Sequence, residues 1–297
     1  MHTDLIHSSF IGIQLDANTT LQWVSESSCL IQVNEISLDE ANERISLWAN
    51  SLASDKPHWL NDYVPSYTSL LVTYDCLKVD VYALERYFKN SYQQIASTAE
   101  CLHDTASEQK QSESLGASKQ FTAERMPNKT VHKTHIVPVC YEPISKDAHL
   151  PYKNNCDYEN DIQAISQRLT LSAQEIIHLH SASVYRIYAV GFLPNFAYMG
   201  QIPQQLELMR RASPRKRVGP GAVAIADRQT AIYPQVSPGG WHILGYCPLN
   251  LAGGASLRFR TGDWVQFRVI GVREFYDIAN EVVQETQGDA KSSITGG

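Results

Sequence analysis

At 297 residues, with 43% hydrophobic and 19% charged side chains, the chain has the apolar content of one large or two ordinary cores, which excludes a disordered protein. A net charge of −6 argues against bulk nucleic-acid binding. None of the six cysteines stands at CxxC spacing, so zinc and thioredoxin-like readings fall away and free thiols of a reducing compartment remain. The first residues lack a basic segment followed by an apolar one, and no apolar run reaches the ~18 residues that span a bilayer. The expectation is a cytoplasmic protein with no membrane partner.

Gly12–Leu15 and Cys29–Val33 read as strands. Ser37 and Glu40 stand at capping-box spacing, and Leu38, Ala41, Ile45, Trp48 and Leu52 follow at helical steps until Pro57 stops the helix. Tyr67–Tyr74 is apolar and β-branched enough for a buried strand. Asp80 can cap a second helix with the stripe Val81, Leu84, Phe88, Tyr92 and Ile95. Residues 1–102 therefore predict an α/β sandwich lobe. Residues 103–133 are Ser-, Gln-, Lys- and Glu-rich and predict a flexible linker or insertion.

Residues 134–285 predict a second domain. Its elements are a strand at His135–Tyr141, a helix from Asp157 to Arg168, a capping box at Ser172 and Glu175 opening a helix that ends near His180, and a strand at Val184–Val190. Short strands then alternate with Gly/Pro turns: Ala222–Ala226, Thr230–Tyr233, Trp241–Gly245, Ser256–Arg260 and Val265–Ile270. That pattern predicts a closed or nearly closed β-barrel, and an α+β fold for the whole. A helical or frayed tail is expected after Asp277, with 286–297 mobile.

Gly191–Pro248 concentrates the candidate chemistry. Gly and Pro punctuate it throughout, aromatics flank it, and Arg210, Arg211, Arg215, Lys216 and Arg217 cluster inside it. Arg grips a carboxylate or phosphate through its planar fork, and Pro214 limits the frame that presents Arg215. A solvated basic loop or a docking patch for an acidic partner is the competing reading. Gln229, Tyr233 and Ser237 add hydrogen-bonding groups, and Gly239-Gly240 lets backbone N–H groups approach an anion, or simply makes a tight hairpin. The sequence holds no P-loop, no GxSxG elbow and no HExxH, and no metal site is expected. His178 and His180 point apart on a helix, where a terminal His caps carbonyls.

GFLPNFAYMG, RRASPRKRV and QTAIYPQVSPGGWHILG resemble, in order, the family of the B subunit of bacterial 5-oxoprolinase. The family also holds allophanate hydrolase subunit 1 proteins and the inhibitor of a sporulation histidine kinase. Its module forms one half of the carboxyltransferase domain of urea carboxylases. The resemblance implies an N-terminal α/β lobe before a cyclophilin-like β-barrel. It implies hydrolysis of 5-oxo-L-proline to L-glutamate, coupled to ATP (with Mg2+) and shared with A and C subunits. It places Arg211, Arg215 and Arg217 at substrate or nucleotide and His180 at a family position, as a candidate general base. Two other functions fit the same resemblance. One is a regulatory protein that inhibits a sensor histidine kinase. The other is half of a biotin-dependent carboxyltransferase, with biotin from another chain. Self-association is left open. The chain departs from the family at Glu142-Pro143, where glycines are usual. It departs also at Asn195, Ala224, Asp227 and Ala231, which replace glycines or a near-glycine segment.

Overall fold

The computed structural model describes residues 12–92, 132–144, 159–252 and 257–292. The chain divides into two compact units, Met1–Val131 and His132–Gly297. The expected linker lies outside the described residues, except for His132 and Lys133.

The first unit is an antiparallel sheet of β1 (Ile13–Gln14), β2 (Thr19–Ser25), β3 (Ser28–Val33), β4 (Leu60–Ser66) and β5 (Ser69–Tyr74), in the order β1-β2-β3-β5-β4. α1 (Leu38–Asp55) lies against it through the predicted residues Ala41, Ile45, Trp48 and Leu52, which share one buried cluster with Leu21, Ile31, Leu70 and Val72. Ser37 accepts the Glu40 N–H at the helix start; Lys56 closes the end in left-handed geometry, just before Pro57. α2 (residues 81–92 as far as described) is capped by Asp80, whose carboxylate accepts the Ala83 N–H, and contributes Leu84 and Phe88 to the core. Val81 faces solvent instead. Edge strand β4 was not expected, because Asn61, Asp62 and Pro65 interrupt its pattern; Pro is tolerated at a sheet edge.

The second unit is built on a seven-stranded sheet of β6 (Thr134–Val139), β7 (Val184–Val190), β8 (Ala197–Gly200), β10 (Ala222–Ala226), β11 (Gln229–Ile232), β13 (His242–Tyr246) and β14 (Trp264–Val269). Its order is β13-β10-β11-β8-β7-β14-β6. The two edges meet through paired backbone hydrogen bonds between Cys140 and Tyr246, 2.9 and 2.8 Å, so the sheet is nearly a closed barrel. β9 (Arg215–Val218) and β12 (Ser237–Gly239) form a separate two-stranded ribbon. α3 (Ile162–Leu169), α4 (Ala173–Ser181) and α5 (Val272–Ser292) complete the unit, and the full capping box at Ser172 and Glu175 opens α4 as expected. The chain is therefore α+β, as its pattern predicts.

Two expectations are corrected. α3 begins at Ile162, not Asp157; before it Asn160 donates to the Tyr141 carbonyl and accepts the Ile162 N–H, and Asp161 spends its carboxylate on other partners. No strand forms at 257–260: the Leu257 carbonyl and the Phe259 N–H bond the side chain of Asn195, not a neighbouring strand. α5 runs from Val272 through Ser292, so the helix begins before the Asp277 at which a helical or frayed tail was expected; residues 293–297 lie outside the described residues.

Barrel closure predicts a sensitive glycine. A Cβ on Gly245 would overlap the Cys140 carbonyl, whereas one on Gly191 meets open space. Gly245→Ala is expected to cost about 1–3 kcal/mol, as overpacking does, and to lower Tm by about 2–4 °C for each kcal/mol. Gly191→Ala should melt like the parent. Equal melting of all three proteins would contradict the closure account.

Candidate functional site

The loop before β9 and the ribbon it enters are fixed to the barrel by one carboxylate. Asp161 precedes α3 but gives that helix no side-chain cap. Its backbone N–H donates to the Ile243 carbonyl at 2.6 Å, and its Oδ2 accepts the Ile243 N–H at 2.7 Å, so it satisfies both polar groups of a residue on edge strand β13. The same carboxylate receives Arg215 through both terminal nitrogens, at 2.7 and 3.0 Å, and Arg211 Nη1 at 3.1 Å. Burial opposes the charge on Arg215, but the hydrogen bonds and negative charge of Asp161 outweigh it and hold the guanidinium pKa above its ordinary value. Arg215 thus presents its planar fork to the chain's own carboxylate.

Around the ribbon stand most of the other predicted groups. The Arg211 N–H donates to the Gly240 carbonyl at 2.8 Å, Gly239 pairs with Arg215, and Ser237 pairs with Val218. Gly239 allows a close approach: a Cβ there would overlap the Tyr233 hydroxyl. Tyr233 is buried, which pushes its phenol up to about 12. Phe196 is the centre of an aromatic wall, with Tyr198, Tyr233 and Trp241 at 4.8, 5.2 and 6.1 Å, and the Arg210 guanidinium lies 5.9 Å from the Trp241 ring. Lys216 and Arg217 are exposed. Two buried polar atoms at the ribbon, Arg211 Nε and Ser237 Oγ, have no partner among the described residues. Donors left so are costly unless an acceptor meets them.

Two predicted residues are not brought to this place. Gln229 opens β11, four residues from Tyr233, and at 3.3 Å per residue that is about 13 Å along the strand. His180 lies on the other face of the β10–β11–β13 wall. Strand alternation puts Ala222, Ala224, Ala231, Tyr233 and Ile243 in the cluster beside the ribbon, and Val223, Ile225, Ile232 and Leu244 in the interior cluster with Tyr185 and Phe267. The His180 ring stacks on Phe267 at 4.7 Å and is fully buried. Thr230 Oγ1 gives its proton to the Ala224 carbonyl, so His180 Nε2–H donates to Thr230 at 2.9 Å and Nδ1 accepts from the Tyr141 hydroxyl at 2.7 Å. Burial lowers the His180 pKa to about 3. The imidazole expected as a candidate general base is thus neutral, with both nitrogens occupied, and enclosed behind the wall, apart from the ribbon.

The family departures resolve individually. Asn195 does take positive φ, 66°, and its amide binds the Leu251 and Leu257 carbonyls and the Phe259 N–H. Asp227 also has positive φ, 53°, while Ala224 and Ala231 are ordinary strand residues facing each other. Sequence reasoning missed Asp161. The one available signal was an acidic residue at a helix start, and its arginine partners lie about fifty residues away in the chain. Among the described residues no group of three or more His, Cys, Asp or Glu side chains assembles a metal site, and no helix is long and apolar enough to cross a membrane.

Comparison with known proteins places this geometry among relatives. Residues 19–253 match the family described as carboxyltransferase domain, subdomain C and D. The chain is 25% identical over 265 residues to the 5-oxoprolinase B subunit of Bacillus subtilis (strain 168), covering 88% of this chain and 97% of that protein. It is 36% identical over 129 residues to the 5-oxoprolinase B subunit of Escherichia coli O157:H7, covering 42% of this chain and 59% of that relative's length. Among solved structures it is similar to TTHA0988, with 28% identity, a TM-score of 0.59, and coverage of 82% of this chain and 39% of that one. The Kluyveromyces lactis urea carboxylase shares the fold at 14% identity, with a TM-score of 0.57 and coverage of 91% of this chain and 23% of that one.

Burial of His180 makes stability depend on pH in a stated direction. Its folded pKa, about 3, lies below its ordinary 6.5, so the unfolded chain binds a proton that the folded chain refuses. The stabilisation is complete above pH 6.5 and is lost as pH falls towards 3. Denaturant titrations of the parent and of His180→Gln should differ by an amount that shrinks by about 1.4 kcal/mol per pH unit below 6.5. A difference independent of pH from 7 to 5 would contradict the neutral buried imidazole.

Proposed function

Because the chain belongs to the family of carboxyltransferase domains, subdomains C and D, we propose that it is the B subunit of an ATP-dependent 5-oxoprolinase. The observation that carries this reading is the match to the Bacillus subtilis relative along 97% of that protein. In the reaction, water adds across the lactam C–N bond of 5-oxo-L-proline. Its oxygen joins the carbonyl carbon and a proton passes to the freed nitrogen, giving L-glutamate. Lactam opening needs an activated carbonyl, and ATP when bound supplies that activation by phosphoryl transfer.

This chain's part is to bind and orient. Arg211, Tyr233, Ser237, Gly239 and Gly240 gather at the ribbon, and the two buried unpartnered donors suit an anionic oxygen of substrate or nucleotide. Arg217, exposed on β9, adds positive charge that draws anions to the loop. The ribbon offers donors and no free carboxylate, since Asp161 is already occupied, so it fits anionic oxygen and not a magnesium ion. In this proposal ATP and the A and C subunits hold the Mg2+, the site is completed by those partners, and the assembly works in the cytoplasm.

Reconstitution tests the reading. The chain alone should show no turnover of 5-oxo-L-proline, and addition of A and C subunits with MgATP should produce glutamate. Turnover by the isolated chain would overturn the shared site. A chain that neither co-purifies with those subunits nor supports turnover with them would overturn the assignment itself.

A further inference from the structure

We propose that the two arginines on Asp161 divide their labour. Arg215 is the internal lock, and Arg211, together with Ser237, receives the anion of the ligand, a small carboxylate or a phosphate. The inference deepens the proposed function and rests on it only for the identity of that ligand. A carboxylate has about four acceptor positions. Those of Asp161 receive Arg211 Nη1, both terminal nitrogens of Arg215, and the Ile243 N–H. An anion that took Arg215 would have to break a bidentate pair and strip a carboxylate that is only 8% exposed. Arg215 is therefore not available.

Arg211 differs in each respect. It gives Asp161 a single terminal nitrogen, while its Nε–H is enclosed without a partner among the described residues. Arg211 shares Asp161 with Arg215, and its unspent donor shows where it can be used. Ser237 is a second, independent unspent donor on the same ribbon. It is 94% buried by the complement of its 6% exposure, its hydroxyl has no partner among the described residues, and it begins the strand that leads to Gly240, whose carbonyl holds the Arg211 backbone. A guanidinium N–H and a hydroxyl beside a Gly-Gly turn present donors to anionic oxygen. Asp161 is then a positioning residue: it acts on the ligand only through Arg211.

The test is anion binding by the full chain, alone and with the A and C subunits, measured by calorimetry with 5-oxo-L-proline, ATP and inorganic phosphate as separate probes. The parent should bind at least one of them. Arg211→Gln should weaken that binding about ten- to a hundredfold, the range for a lost charged hydrogen bond. Arg211→Lys should weaken it too, because an ammonium lacks the Nε donor, and this variant keeps the test open if the Gln protein fails to fold. Ser237→Ala should weaken binding of the same probe, while Arg215→Gln should act first on the melting temperature. The proposal is overturned if the parent binds none of the probes in either form. It is equally overturned if the Arg211 variants bind as the parent does. Binding of inorganic phosphate alone, lost in Arg211→Gln, would uphold the Arg211 assignment and count against 5-oxoprolinase.

Discussion

The ion-paired carboxylate of Asp161 is the constraint on which the candidate site depends. It ties three separated pieces of chain: the start of α3, edge strand β13, and the arginine loop that becomes β9. A basic, Pro-containing loop would otherwise be solvated and variable, since ordering it costs backbone and side-chain entropy. Here two of its cations find one enclosed anion, Arg211 through a single nitrogen and Arg215 with bidentate geometry, the form of ion pair that survives desolvation best. Of the loop's remaining cations, Arg210 lies over the Trp241 ring, and Lys216 and Arg217 stay in solvent.

The barrel wall then decides which residues can cooperate. Alternation along β10, β11 and β13 sends one set of side chains to the interior and the other to the ribbon. On the interior side, Tyr141, His180 and Thr230 form a saturated polar chain between aromatic rings. On the ribbon side, donors remain unspent. Contrast in hydrogen-bond satisfaction separates the saturated histidine from the unspent donors of the ribbon more sharply than residue type does.

Much of the fold was legible because its signals are local. The capping box at Ser172, the helical stripe of α1 and the Gly/Pro-punctuated strands each act within a few residues. Short strands with polar or basic sequence were not legible. β9 is Arg-Lys-Arg-Val and β12 is Ser-Pro-Gly, and neither carries an apolar alternation. The stretch 257–260, expected as a strand, has strand-like residues, but its hydrogen bonds go to a side chain far back in the chain, at Asn195. Within the site, residue types were readable and partners were not. Arg215 announces an anion, but only tertiary structure tells whether that anion is Asp161 or a ligand.

A double-mutant cycle between Asp161 and Arg215, with Asp161→Asn, Arg215→Gln and the pair compared by denaturant unfolding, tests the central claim most directly. The account predicts a coupling of about 1.5–3 kcal/mol, the scale of hydrogen bonds to charged groups, so the double variant is far less destabilised than the two single losses added together. Losses that add to within about 0.5 kcal/mol would show that the two residues do not hold each other, and the anchored arginine loop would have to be given up.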